Sequence, residues 1–197
     1  MSDNPSKNSI TIVSGLPRSG TSMMMQLLNA GGLPALTDGI RRSDIDNPRG
    51  YYEFERVKQI KQDASWLSQA EGKVVKMVFS LLYDLPTDRH YQVILMRRNM
   101  QEILASQQSM LERLGKTGGA VTTQQLAAIF QQQLDKIEHW LSLQAHIDCI
   151  SIQYTDVLNN TAEEVDKLTA FLPVALNKDA MVSAVAPALY RQKATNE

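Results

Sequence analysis

The chain has 197 residues, 43% of them hydrophobic and 21% charged, with a formal net charge of −1. That composition excludes a disordered or fibrous class and suits one globular domain over residues 1–197. The balanced charge offers no electrostatic footprint for nucleic acid or an anionic membrane, and no stretch approaches the roughly 18 apolar residues of a membrane span.

After a polar N-terminal stretch, "SITIVSG" is a short β-branched run ending in Gly15, and "TSMMMQLLNAGG" is an apolar helix stopped by Gly31 and Gly32. Met23, Met24 and Met25 are expected in that helix's core. Residues 38–50 are polar and proline-marked and read as a surface loop. From Tyr51 to Ala70, Val57, Ile60, Ala64 and Leu67 recur at helical spacing. "KVVKMVF" and "YQVILM" read as buried strands, and "MQEILASQQSMLERLG" as a helix with Ile103, Leu104, Gln107, Leu111 and Leu114 along one stripe. A longer helix over Thr122 to Ala145 follows, which packs internally or against a partner; oligomeric state stays open. "IDCISIQY" is a fourth strand, with the single cysteine, Cys149, expected buried, and Thr161 with Glu164 has the spacing of a capping box. Strands alternating with helices predict an α/β fold of three layers, a parallel sheet with helices on both faces. The absence of a disulfide framework and of an apolar leader leads us to expect a cytoplasmic protein.

The chemistry concentrates in "GLPRSGTSMMM". Gly15 and Gly20 stand five positions apart between a strand end and a helix start, the arrangement of a phosphate-binding loop, so backbone N–H groups and the helix dipole converge on one anion. Ser19, Thr21 and Ser22 add hydroxyl donors, and Arg18 adds a charged fork of donors. A nucleotide triphosphatase also requires a lysine, which Thr21 replaces, and an acidic strand end for Mg²⁺, where this chain has Arg97 and Arg98. Two separated anionic groups and no required metal fit that charge pattern. His90, His139 and His146 have no metal-ligand spacing with one another or with Cys149.

These residues resemble the PAPS-dependent sulfotransferases, where PAPS is 3′-phosphoadenosine-5′-phosphosulfate, and in particular their compact bacterial branch with a P-loop NTPase-like fold. "GLPRSGTS" is similar to the family's 5′-phosphosulfate loop. The resemblance implies that Arg18 contacts the bridging oxygen and sulfonate, while Pro17, Ser19, Gly20, Thr21 and Ser22 form the phosphate cradle. "RNMQEILAS" resembles the 3′-phosphate motif, giving Arg98 and Ser106 that anion. "ISIQYTDVL" is similar to the segment whose tyrosine lies against adenine, here Tyr154, and "PALYRQK" resembles a tail that brings Arg191 toward the 3′-phosphate. The family's glycine-rich C-terminal motif is absent. The strand that carries a histidine base in animal cytosolic enzymes reads "KMV", keeping Lys76 and placing Val78 at the histidine's position.

The resemblance implies a metal-independent transfer of sulfonate from PAPS to a hydroxyl or amine of a small-molecule or glycan-type acceptor, leaving adenosine 3′,5′-bisphosphate. Arg18 would serve the leaving oxygen and Lys76 the sulfonate oxygens, although Lys76 also reads as a lysine snorkelling at a strand edge. Glu53, in "DNPRGYYEFE", is the first candidate for the base, with Glu55 and Asp46 in reserve. Tyr51 and Tyr52 are expected as an aromatic wall. Arg41, Arg42 and Arg49 read as a solvated face that also suits an acidic acceptor. Two other readings stand beside the transferase: a P-loop kinase or NTPase, and a nucleotide-binding module without catalysis.

Overall fold

The computed structural model describes residues 9–41, 47, 50–113, 115 and 122–185. Four parallel strands, β1 (Ile10–Gly15), β2 (Val74–Lys76), β3 (Tyr91–Arg97) and β4 (Ile147–Gln153), form one sheet in the order β2-β1-β3-β4. Ile10 and Ile12 pack on one face with Val75, Val93 and Leu95; Val13, Ile94, Met96 and Ile152 pack on the other. That alternation is the period-2 consequence of the extended backbone, and burial on both faces explains why the strands read as continuous apolar runs. The helices α1 (Thr21–Ala30), α5 (Tyr154–Asn159), α6 (Thr161–Phe171) and α7 (Lys178–Ala184) cover the second face. The first is covered by α2 (Leu67–Ala70), α3 (Met100–Arg113), α4 (Thr123–Ser142) and two 3₁₀ helices, Glu55–Gln59 and Phe79–Asp84. The result is the expected three-layer α/β architecture.

Several elements depart from expectation. The periodic stretch from Tyr51 to Ala70 is not one helix but the 3₁₀ helix at Glu55–Gln59 and the single turn of α2. Its apolar positions Val57, Ile60 and Leu67 are buried all the same. Between the two turns, Asp63 accepts from the Ser65 N–H at 2.9 Å and from Arg56 at 2.8 Å, a local competitor that breaks the helical ladder. The Ser65 hydroxyl, then Arg56 and the Ser65 N–H, hold the Asp63 carboxyl down at about 2. The capping box forms at Thr122 and Gln125, at the start of α4, rather than at Thr161, whose hydroxyl donates to the Val157 carbonyl. Cys149 is exposed, not buried: β4 is an edge strand, and Asp148, Cys149 and Ser151 stand uncovered there while Ile147 and Ile152 are buried. Partial desolvation beside β3 and the Glu138 carboxylate push its thiol up to about 11, so it is a poor nucleophile.

Candidate active site

Parallel strands end together, and in open α/β sheets the crevice outside their carboxyl ends is the natural ligand site. Here β1 runs into the glycine loop, β2 ends at Lys76, Arg98 follows β3, and Tyr154 follows β4. The strand order places β1 between β2 and β3: the chain passes from β1 to β2 on one side and then crosses back past β1 to β3 on the other, so the crevice opens beside the loop. A cleft of ≈ 550 Å³ occupies it, lined by Pro17, Arg18, Gly20, Thr21, Ser22, Glu53, Lys76, Arg98, Ser106 and Tyr154 among others.

The loop is shaped by backbone conformations that only glycine adopts freely. Gly15 has φ +150°, and a side chain there would lie 2.7 Å from the Met96 carbonyl oxygen. Gly20, the residue before α1, has φ +100°, and a Cβ would lie 2.4 Å from the Tyr154 ring. Arg18, between them, holds φ 71° without that freedom, a strained position of the kind found at ligand clamps. No side chain caps α1, so its first-turn N–H groups are presented toward the cleft. Gly20→Ala is expected to destabilise the fold by roughly 1–3 kcal/mol through overpacking and strain, measured by denaturant unfolding, with nucleotide affinity lost in parallel; an unchanged midpoint would contradict the packing described.

Two cationic clusters face each other across the loop. On the β3 side, Arg98 Nε donates to Glu102 Oε2 at 2.9 Å, and its Nη1 donates to the Arg18 carbonyl at 3.1 Å. The guanidinium carbon lies 4.4 Å from the centre of the Tyr154 ring. Arg18 Nε in turn donates to Ser106 Oγ at 2.9 Å, joining the two anion motifs across 88 positions of sequence. On the β2 side, Lys76 Nζ lies 3.4 Å from Ser22 Oγ, donates to the Tyr51 carbonyl, and stands 3.8 Å from Glu53 Oε1. Arg41 Nη1 reaches the same Glu53 oxygen at 2.7 Å, with its guanidinium 3.4 Å over the Tyr51 ring. Burial lowers Lys76 to about 8; Glu53 opposes that shift and Arg41 adds to it.

The positions differ from expectation at identifiable points. Ser19 is 1% exposed and does not line the cleft; its N–H donates to the Leu16 carbonyl and its hydroxyl lies on the Gly15 side of the loop. Arg97 turns away and pairs with Glu138 on α4 at 2.5 Å, leaving Arg98 as the strand-end cation in the cleft. Successive strand residues point to opposite faces, which separates them. Tyr154 is 7% exposed and packs beneath the loop and Arg98. Glu55 pairs with Lys58 at 2.7 Å and is not in the cleft lining. Tyr51 lines the cleft, whereas Tyr52 packs into the second core. Met24 and Met25 are core as expected, but Met23 reaches the cleft. Arg41 lines the cleft while its side chain remains 44% exposed. Asp46, Arg42, Arg49 and Arg191 lie outside the described residues.

Sequence reasoning missed Gln107, Ser109, Met110 and Arg113, which extend the α3 wall beyond Ser106, and Phe54, Val57 and Leu81, which add apolar surface. A signal for three of the first group existed: Ser109, Met110 and Arg113 lie three, four and seven residues beyond Ser106 and so share its side of the helix, whereas Gln107 follows it directly. Among the described residues, no cluster of three His, Cys, Asp or Glu side chains is arranged to hold a metal ion, and no helix is long and apolar enough to cross a membrane.

A search among curated proteins gives no match. Among solved structures, the chain is similar to a mouse sulfotransferase complexed with PAP, at 16% identity and TM-score 0.49, covering 90% of this chain and 62% of that one. The chain thus spans less than two thirds of that relative's length. It is also similar to the sulfotransferase domain from the curacin biosynthetic pathway, at 14% identity and TM-score 0.51, covering 93% and 83%. A retinol dehydratase in complex with androsterone and inactive cofactor PAP matches at 14% identity and TM-score 0.50, covering 97% and 66%. At such identities the latter two structures speak for the fold alone. The family model described as the sulfotransferase domain matches residues 9–196, nearly the whole sequence, and on that match the chain belongs to the sulfotransferase domain family.

Proposed function

We propose that this protein transfers a sulfonate from PAPS to a hydroxyl or amine of a small-molecule or glycan-type acceptor, without a metal. The observation that carries the reading is the convergence of Arg18, Arg98 and Lys76 on one glycine loop, with Arg98 where a Mg²⁺-dependent enzyme needs a carboxylate. The donor set fits a ligand with two separated anionic ends: uncapped N–H groups of α1, Thr21 and Ser22 for one, and Arg98 with Ser106 for the other.

When bound, PAPS supplies an activated sulfonate on a phosphate leaving group. The chain's own residues bind, orient and move protons. Arg18 and Lys76 place positive charge on either side of the loop, where charge grows on the leaving and sulfonate oxygens. Glu53, at the cleft wall beside Lys76, takes the acceptor's proton, and its contacts with Arg41 and Lys76 fix the carboxylate in place. Tyr51, held under Arg41, closes that end against water. Tyr154 belongs to the nucleotide side, supporting the loop and Arg98.

Adenosine 3′,5′-bisphosphate is expected to raise the melting temperature, because a ligand bound only to the native state stabilises it by mass action: about 2.7 kcal/mol at 100 times its dissociation constant. ATP with Mg²⁺ is expected to do markedly less. The opposite order would replace this reading with a kinase or NTPase. Transfer of labelled sulfonate to an acceptor panel, with and without chelator, then separates an enzyme from a nucleotide-binding module.

A further inference from the structure

The pair formed by Arg98 and Glu102 is nearly dry: their side chains are 8% and 3% exposed. Removing two charges from water costs several kcal/mol per ion, and their mutual attraction does little more than offset it, so such a pair is not explained by stability. It is explained by what it holds. Glu102 lies in the first turn of α3, one turn before Ser106, so the two side chains stack on the same helix face. Each receives one arginine: Arg98 Nε on Glu102 and Arg18 Nε on Ser106, both at 2.9 Å. Arg98 Nη1 on the Arg18 carbonyl ties these two rungs together at 3.1 Å. The Tyr154 ring, itself pressed against Gly20, lies along the Arg98 guanidinium.

We infer that Glu102 is a positioning residue for the second anion site, fixing the guanidinium of Arg98 so that the site discriminates nucleotides carrying a 3′-phosphate from those lacking it. A guanidinium recognises phosphate through a planar fork, so its orientation matters as much as its charge. A carboxylate on Nε sets that plane, and the contact with the Arg18 carbonyl sets its tilt relative to the loop. Ser106, held by Arg18, keeps a hydroxyl at the same place. Glu102 acts through Arg98 and needs no contact with the ligand.

The inference rests on the proposed use of a 3′-phosphorylated nucleotide, and the test separates the two. Adenosine 3′,5′-bisphosphate and adenosine 5′-phosphate are titrated into the full chain by calorimetry, for the wild type, Glu102→Asp and Glu102→Gln. The ratio of the two dissociation constants is the readout. Shortening the side chain by one methylene is expected to lower the preference for the bisphosphate about tenfold, because ångström-scale misplacement is costly at a directed contact. The amide keeps an oxygen for Arg98 Nε but loses the charge assistance, so Glu102→Gln is expected to lower it about threefold. Affinity for the 5′-phosphate stays within about twofold in both, since the loop of residues 17–22 is untouched. An unchanged ratio in either folded variant, or parallel weakening of both nucleotides, overturns the inference and leaves Glu102 a structural residue. A wild type with no preference overturns the cofactor reading and this inference together. Both substitutions are close in shape to glutamate; thermal melts establish which variants are folded, and either one alone decides the outcome.

Discussion

Lys76→Met is expected to lower turnover by about 10²–10³-fold, the usual cost of removing one preorganised donor from a site of developing negative charge. Lys76 has no solvent-facing role to lose: its side chain is 13% exposed, and its contacts are with the loop hydroxyl of Ser22, the Tyr51 carbonyl and Glu53. The same burial that keeps it in place lowers it from an ordinary 10.5 to about 8, which gives the prediction a pH signature. In the free protein the ammonium is present below pH 8 and lost above it, so nucleotide affinity and kcat/KM should fall on the alkaline side of about 8. Lys76→Arg keeps the charge throughout and should move that limb to higher pH. The stability sign runs the other way. Between about 8 and 10.5 the unfolded chain holds a proton that folded Lys76 has released, so the contribution of this residue to stability rises with pH. An alkaline limb at the same pH in the arginine variant would remove Lys76 as its source.

Glu53→Gln is expected to lower turnover by about 10²-fold or more, with affinity for adenosine 3′,5′-bisphosphate nearly intact. The amide preserves shape and an oxygen for Arg41 but cannot accept the acceptor's proton at neutral pH. Arg41 and Lys76, at 2.7 and 3.8 Å, orient this carboxylate. Single-turnover kinetics therefore give the direct measurement: a loss confined to the transfer step marks Glu53 as the base, whereas unchanged transfer removes it. Glu55 is a poor substitute, since its carboxylate is paired with Lys58 and it does not itself line the cleft.

The layered fold was legible because its signals are local. β-branched runs, helical spacing and the glycines at 15 and 20 each declare an element within a few residues. The failures also have local causes. The stretch from Tyr51 to Ala70 carries a correct burial pattern without a continuous helix, because the Asp63 side chain accepts the Ser65 backbone N–H in place of a helical carbonyl. Cys149 sits in an apolar run that resembles a central strand, and only the strand order makes it an edge.

The sequence by itself determined that a glycine loop lies between a strand and a helix, that arginine rather than a carboxylate follows the third strand, and that Ser106 lies eight residues beyond Arg98 on the next helix. Tertiary structure decided which side chains meet. It sent Arg97 to α4 and Arg98 to the loop, joined Arg18 to Ser106, turned Lys76 into the cleft beside Glu53, and placed Glu102 behind Arg98. Periodicity and turn chemistry are short-ranged, so they specify elements. Contacts between residues 80 or 88 positions apart depend on strand order and on the face each side chain takes.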